Sequence, residues 1–345
     1  MEWWSLYSLF AAKVATFLLA LIVILIIIAR VRGAGRQRSA EASLSIKERR
    51  ERFLPRQHQL QGVRMSDGEY KRWQKQQHKE EKARLKEDVS EQPVIWVLDF
   101  DGDLQASGTD EMAEEITSLI EGAHKGDEIV LRLESGGGLV HSYGLAAAQL
   151  DRLRDAGLKL TVCVDRVAAS GGYMMACCAD HLIAAPFAVI GSIGVVAQVP
   201  NVHRLLKKHD VDVEILTAGE HKRTLTMLGE NTEEGRRKFL EDLADTHALF
   251  KQHVRQRRPQ LDIDQVADGD IWYGQQAVAL GLIDDVQTSE GYLSQRARDG
   301  LDIFEVSLTA PRSLVSRLAH GAESTLQRAV NACLQRALNW RSERT

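Results

Sequence analysis

Two side chains of this 345-residue chain stand out for the chemistry they imply together, Ser170 and Lys222. Ser170 lies in Ala168-Ala169-Ser170-Gly171-Gly172-Tyr173, where an apolar strand-like run gives way to an apolar helix-like run. A serine at such a turn is exposed beside the positive end of a helix dipole, with backbone N–H groups near enough to receive an oxyanion. It needs a base. Lys222, 52 positions on in Ala218-Gly219-Glu220-His221-Lys222-Arg223, is the candidate. A lysine serves as a base only where burial lowers its pKa enough for a neutral amine to exist near neutral pH. One lysine then replaces the His and Asp of a triad. Taken singly, Ser170 is an ordinary turn serine and Lys222 an ordinary surface lysine.

Five motifs in order raise the pair above that reading. They are Glu134-Ser135-Gly136-Gly137-Gly138, Ala169-Ser170-Gly171-Gly172-Tyr173, Ile190-Gly191-Ser192-Ile193-Gly194-Val195, Lys222-Arg223-Thr224 and Gly269-Asp270-Ile271-Trp272-Tyr273-Gly274. Across roughly residues 94 to 300 the chain thereby resembles the S49 family of serine peptidases, the signal peptide peptidase A group, and its SohB branch most closely. The resemblance implies a serine endopeptidase with a Ser170–Lys222 dyad and an acyl-enzyme. It supports an oxyanion hole from the N–H groups of Gly137 and Gly171, with Gly138 as the alternative to Gly137, and a Ser192 hydroxyl that orients the lysine amine. Gly137 follows a strand and has no Cβ to keep a substrate away from its N–H, which suits that role independently. Ser192 is otherwise a small residue suited to a Gly-Ser-Ile-Gly turn. One departure is visible: the family usually has Ser-Pro-Gly-Gly where this chain has Ser135-Gly136-Gly137-Gly138. Losing the proline raises the entropy cost of ordering that loop by about 0.4–1 kcal/mol.

The elements that must hold these residues are readable from Pro93 onward. Val94–Phe100, Glu128–Leu133, Leu158–Val164 and His181–Ala184 have the short β-branched runs of strands. Glu111–Gly122, Val140–Asp155, Gly172–Ala179 and Asn201–His209 have helical spacing, and Thr232–Arg257 reads as a long amphipathic helix. Alternation of the two predicts an α/β fold with mainly parallel strands. The resemblance narrows this to a ClpP/crotonase-like spiral of ββα units. Leu182–Val199 is uncharged, but Pro186, Gly191 and Gly194 interrupt it, which fits two buried strands and a turn rather than a membrane span.

The N-terminus reads differently. Leu6–Ala29 is apolar except for Lys13, long enough to cross a bilayer, and Trp3, Trp4 and Tyr7 suit an interfacial belt. Without a positive n-region before it, the segment reads as an uncleaved anchor rather than a signal peptide. The expected organisation is an anchor over 1–30, a charged linker or helical tether over 31–92, the peptidase domain over 93–305 and an amphipathic extension over 306–345. Residues 30–88 hold 17 Lys and Arg against 9 Asp and Glu, in a chain of net charge −4. Arg30, Arg32, Arg36 and Arg38 favour a cytoplasmic catalytic domain by the positive-inside rule, whereas family descriptions include a periplasmic one. The expected location is the cell inner membrane, with the lipid bilayer and peptide or protein substrates, membrane-associated ones among them, as partners. Sparse aromatics and no reader motif argue against nucleic acid. Self-association into a homo-oligomer is expected.

No cofactor and no metal are implied. The four cysteines show no zinc-type spacing, and those in apolar runs read as small buried hydrophobes rather than a disulfide framework. His124, His141, His181, His203, His221 and His247 form no i, i+4 pair, and Asp99, Asp101 and Asp103 fail the EF-hand pattern. Two other functions use comparable features: a crotonase-type acyl-CoA enzyme, which leaves the dyad and anchor unexplained, and a catalytically idle membrane adaptor.

Overall fold

The computed structural model describes residues 43–84, 92–219, 222 and 224–309. The expected anchor over 1–30 and nearly all of the extension over 306–345 lie outside these residues. Among the described residues no helix is long and apolar enough to cross a membrane. The chain divides into two compact units, residues 1–44 with 308–345, and residues 45–307. In the first, only the ends of two strands are described, where Thr309 Oγ1 donates to Ser43 O at 3.0 Å. All else below concerns the second.

In chain order the elements are β1 (Ser43–Glu48), α1 (Arg49–Gly62), α2 (Asp67–Arg84), β2 (Ile95–Gly102), α3 (Thr109–Gly122), β3 (Glu128–Ser135), α4 (Val140–Asp155), β4 (Lys159–Val164), β5 (Val167–Ala169) and α5 (Gly171–Ala176). There follow β6 (His181–Ala184), β7 (Val189–Gly191), α6 (His203–Lys208), α7 (Glu233–Arg257), α8 (Ile263–Val266), β8 (Ile271–Tyr273), α9 (Gly274–Ala277), β9 (Asp285–Val286), α10 (Ser289–Arg298) and β10 (Ile303–Thr309). One large sheet runs β1-β10-β2-β3-β4-β6-β9, and β5, β7 and β8 branch from β3. The pairs β2–β3, β3–β4, β4–β6, β3–β5 and β5–β7 are parallel, as the alternating pattern predicts, and β7–β8 is antiparallel. The mixed α/β fold expected from sequence is therefore observed.

Alternation along the strands sends side chains to two cores. Ile129, Leu131 and Leu133 of β3 face the larger one with Leu98, Leu160 and Val162, beneath α3, α4 and α5. Val130 faces the smaller one with Ile95, Val97, Cys163 and Ile183, where Leu293 of α10 closes the other side. α3 buries Met112, Ile116 and Leu119 at helical spacing and places Asp110 and Glu111 in its first turn, where they favour the helix dipole. α7 starts where Thr232 Oγ1 accepts the Gly235 N–H at 3.0 Å, a side-chain cap on its first turn.

Leu182–Val199 contains β6 and β7 separated by a turn, as its breakers require. The tether region holds more structure than its composition announces: β1 lies beside β10, and Arg49 at the start of α1 reaches Glu290 at 2.6 Å. Of the aspartates at the end of β2, Asp99 pairs with Arg132 at 2.6 Å, while Asp103 accepts Gln105 and Ser107 N–H groups in a local turn. They organise the loop.

Candidate active site

β5 is three residues long, yet it sits between two longer commitments. Ala168 pairs with Ser135 of β3, and Ala169 pairs with Gly191 of β7. The chain then turns within one residue into α5. That residue is Ser170, with φ 52° and ψ −118°, a conformation an L-residue adopts only under constraint. The constraint is visible in the Ser170 N–H donating to Gly191 O at 2.8 Å and the Met174 N–H donating to Ser170 O at 3.0 Å. Every residue of α5 is buried. The Ser170 side chain, half-buried, stands at the mouth of this frame, and its hydroxyl makes no hydrogen bond among the described residues.

The glycine loop after β3 comes to the same place. Gly137 has φ +87°, and a Cβ on it would lie 2.7 Å from Ala169 O and from Gly171 N and 2.8 Å from Ser170 Cβ. No side chain fits there. Gly171 is equally confined, since a Cβ would meet the Tyr143 ring at 2.4 Å. Gly137, Ser170 and Gly171, singled out 34 residues apart in sequence, are thus in mutual contact. The N–H of Gly171 lies in the first turn of α5, where no helical acceptor exists. The N–H of Gly137 is engaged by Ser135 Oγ at 3.0 Å, whereas that of Gly138 donates to no described residue. Gly171 therefore offers a free N–H beside Ser170, while that of Gly137 is already engaged by Ser135.

Ser135, a member of the first motif, is tied to Tyr143, which no motif contains. The Tyr143 hydroxyl meets Ser135 Oγ at 2.5 Å and donates to Asp103 O at 2.7 Å. Burial raises the Tyr143 pKa, so it remains a neutral phenol that ties the glycine loop to β2 and α4. The only sequence signal was a tyrosine in the first turn of α4, indistinguishable from a core aromatic.

Ser192 follows β7 with φ 51°, its N–H donating to Asp270 O at 2.7 Å. Its hydroxyl makes no hydrogen bond among the described residues. Lys222 is exposed in a bend, its N–H donating to Gly219 O at 3.2 Å. Its side chain lines an open cleft of about 660 Å³ with Phe239, Leu243 and Thr246 of α7. One residue further along α7, His247 Nε2 contacts Ile193 O at 3.2 Å, next to Ser192. Further still, His253 Nε2 contacts Met174 O of α5 at 2.8 Å. α7 therefore links the lysine cleft, the Ser192 turn and the helix that starts at Ser170. No hydrogen bond joins Ser170 to Lys222, and the burial that a lysine base demands is absent from this arrangement.

Against this geometry, similarity to known proteins is decisive. Residues 2–150 match Peptidase family S49 N-terminal and residues 152–302 match Peptidase family S49. A protein from Haemophilus influenzae named "Probable protease SohB" is 46% identical over 330 residues, covering 92% of this chain and 93% of that one. The chain belongs to peptidase family S49. Its S49 relatives include "Probable protease SohB" of Buchnera aphidicola subsp. Schizaphis graminum, 41% identical over 305 residues and covering 87% of this chain and 88% of that one. The protein of the same name from Buchnera aphidicola subsp. Schlechtendalia chinensis is 55% identical over 204 residues, covering 59% of this chain and 67% of that one. The resemblance drawn from five motifs is borne out. As an S49 member the chain is a peptide hydrolase, of the serine type by family. The mixed α/β fold with its large sheet fits that family.

One cluster in this S49 chain escaped the sequence entirely. Cys177 and Cys178, at the far end of α5, lie with His253 of α7 in one group. Burial holds the Cys177 thiol well above its ordinary pKa. Cys178 is drawn down by the neighbouring Cys177 thiol and then by the His253 ring. Spacing carried no signal, because the histidine is 75 residues away.

Proposed function

We propose that this S49 peptidase cleaves peptide bonds, as an endopeptidase, through an acyl-enzyme on Ser170, with Lys222 as general base. The observation that carries the reading is the strained Ser170 turn, pressed against Gly137 and followed by the unopposed Gly171 N–H. In the acylation step Ser170 Oγ bonds to the scissile carbonyl carbon and its proton passes to Lys222 Nζ. The oxyanion takes the N–H groups of Gly171 and Gly137, or of Gly138 in place of Gly137. The C–N bond then breaks, and the lysine proton goes to the departing amine. Water attacks the ester in the reverse sense and frees Ser170.

The role proposed for Lys222 requires that water be removed from it, since burial is what favours a neutral amine. A peptide bound across the α7 cleft, or a second copy of the chain, supplies such a cover. Exposed Leu216, Met227 and Leu228, each within six residues of Lys222 in the chain, support either. Ser192 is the hydroxyl proposed to take an amine N–H and aim the lone pair at Ser170. The arrangement of short strands branching from a parallel sheet supports the ClpP/crotonase-like spiral as its finer description. Residues 1–30 are proposed as a single span in the cell inner membrane, which gives membrane-associated peptide segments as substrates.

Intact-protein mass spectrometry after a fluorophosphonate probe tests the core of this. One adduct on the wild type, absent from folded Ser170→Ala and Lys222→Ala variants, is the expected result. Undiminished labelling in either variant removes that residue from its role. Deleting residues 1–30 is expected to release the protein from the membrane fraction, and persistent membrane retention would overturn the anchor.

A further inference from the structure

The C-terminal end of α5 gathers ligand-type atoms that peptide hydrolysis leaves unused. α5 ends at Ala176, and the chain tightens there: the Cys178 N–H donates to Met175 O and the Ala179 N–H to Ala176 O, both at 3.1 Å and three residues back. The Met174 carbonyl is left to side chains. It accepts from Cys177 Sγ at 3.3 Å and Cys178 Sγ at 3.5 Å, and His253 Nε2 lies 2.8 Å away. Cys178 Sγ has Ala147 O at 3.8 Å as a second, weaker partner. The two sulfurs and the imidazole nitrogen all lie within 4.8 Å of one another, with Cys178 Sγ 3.9 Å from His253 Nε2.

Those separations resemble the edges of a coordination polyhedron. Zinc bonds of about 2.3 Å to sulfur and about 2.0–2.1 Å to nitrogen give a tetrahedral S···N edge of about 3.6 Å. The observed 3.9 Å edge needs a shift of a few tenths of an ångström. Met174 O, 2.8 to 3.5 Å from the three atoms, occupies the remaining vertex. The charges suit the surroundings as well. Both cysteines are fully buried, and two thiolates with a neutral imidazole cancel a divalent cation, so no net charge enters the core. Thiolate and imidazole donors select a borderline-soft ion over calcium or magnesium. A groove of about 770 Å³, lined in part by Asp151, Asp180 and Arg257, opens one helical turn along α7 from His253.

We propose that Cys177, Cys178 and His253 bind one zinc ion, with the Met174 carbonyl as fourth ligand, and that this ion pins α5 to α7. Ser170 begins α5 and the metal closes its other end, so the ion fixes the helix that presents the nucleophile. The site is independent of the dyad.

The test uses the full-length protein in detergent, reduced, stripped with a chelator and titrated with cobalt(II), then zinc. One cobalt per chain is expected, with sulfur-to-cobalt charge-transfer bands and intense visible bands of a tetrahedral site, lost on adding zinc. Zinc is expected to raise the thermal midpoint of the wild type. Cys178→Ser and His253→Gln each abolish the bands, whereas Cys163→Ser, in the other core, leaves them intact. His253 is only half-buried, so His253→Gln decides the matter if Cys178→Ser does not fold. Absence of stoichiometric cobalt binding, or bands that survive His253→Gln, would overturn the proposal and leave the thiols as caps on the Met174 carbonyl.

Discussion

The nucleophile and its proposed base are held in opposite ways. Ser170 is fixed by strands on both sides of β5, a fully buried helix after it, and a glycine backbone against its Cβ. Lys222 lies on a surface segment whose order comes from a few polar contacts. Asn201 Nδ2 donates to Thr226 O and Gly229 O at 2.9 Å, and Asn231 Oδ1 accepts the Thr226 N–H at 2.8 Å. Leu216, Met227 and Leu228, near Lys222 in the chain, are exposed. The difference teaches that the costly part of the site, strained backbone with free N–H groups, is built into the core, while the proposed proton acceptor lies on a surface segment that the proposal requires a partner or substrate to cover. Damage on the serine side should therefore reduce both stability and chemistry. Damage on the lysine side should reduce chemistry alone.

Five changes break or sharpen that contrast. The largest effect is expected from Ser170→Ala and Lys222→Ala, each lowering peptide hydrolysis by roughly 10⁴-fold or more, since residues acting as one unit fail together. Lys222→Ala should keep the wild-type thermal midpoint, and a clear drop would show that the segment carries fold stability after all. Next comes Gly137→Ala, which puts a methyl group into Ala169 O, Gly171 N and Ser170 Cβ at positive φ. About 2–4 kcal/mol should be lost in denaturant unfolding, with probe labelling slowed along with it. Wild-type behaviour would mean that the glycine loop moves freely and that the serine side is not preorganised.

Glu128→Gln probes the core remote from both. Burial alone would raise the Glu128 pKa, but hydrogen bonds from Thr161, Tyr292 and Arg296 and the charge of Lys159 bring it down from 4.5 to about 2. A depressed carboxylate contributes stability above its unfolded pKa and loses it as pH falls through the folded one. The variant should be about 2–3 kcal/mol less stable near neutral pH, and the gap to wild type should close between pH 4.5 and about 2. A gap that persists at the acid end would assign the loss to packing instead of charge. The smallest effect belongs to Leu216→Ser, exposed six residues before Lys222 in the chain, with stability within about 0.5 kcal/mol of wild type. Reduced hydrolysis in that variant, with stability intact, would identify the apolar rim as the surface that is covered.

Much of the frame was legible in the residues. β3, β4 and β6 follow from β-branched runs and α4 and α7 from helical spacing, because long periodic segments commit their faces locally. The short pieces were not. β5 and β8 have three residues each and β9 has two, too few for a pattern, and they are strands only because neighbours offer them hydrogen bonds. β1 hid in a charged stretch for the same reason, since pairing beside β10 makes it a strand.

At the site, the sequence by itself singled out the candidates: the ordered glycine, serine and lysine motifs are local in the chain, and local backbone requirements such as positive φ write themselves into residue type. Only the tertiary structure decided their company. It pressed Gly137 onto Ser170 and engaged its N–H with Ser135, tied Ser135 to Tyr143, left Lys222 on the surface, and carried His253 to Cys177 and Cys178. Such contacts join residues far apart in the chain through the packing of whole elements, and no spacing along the sequence records them.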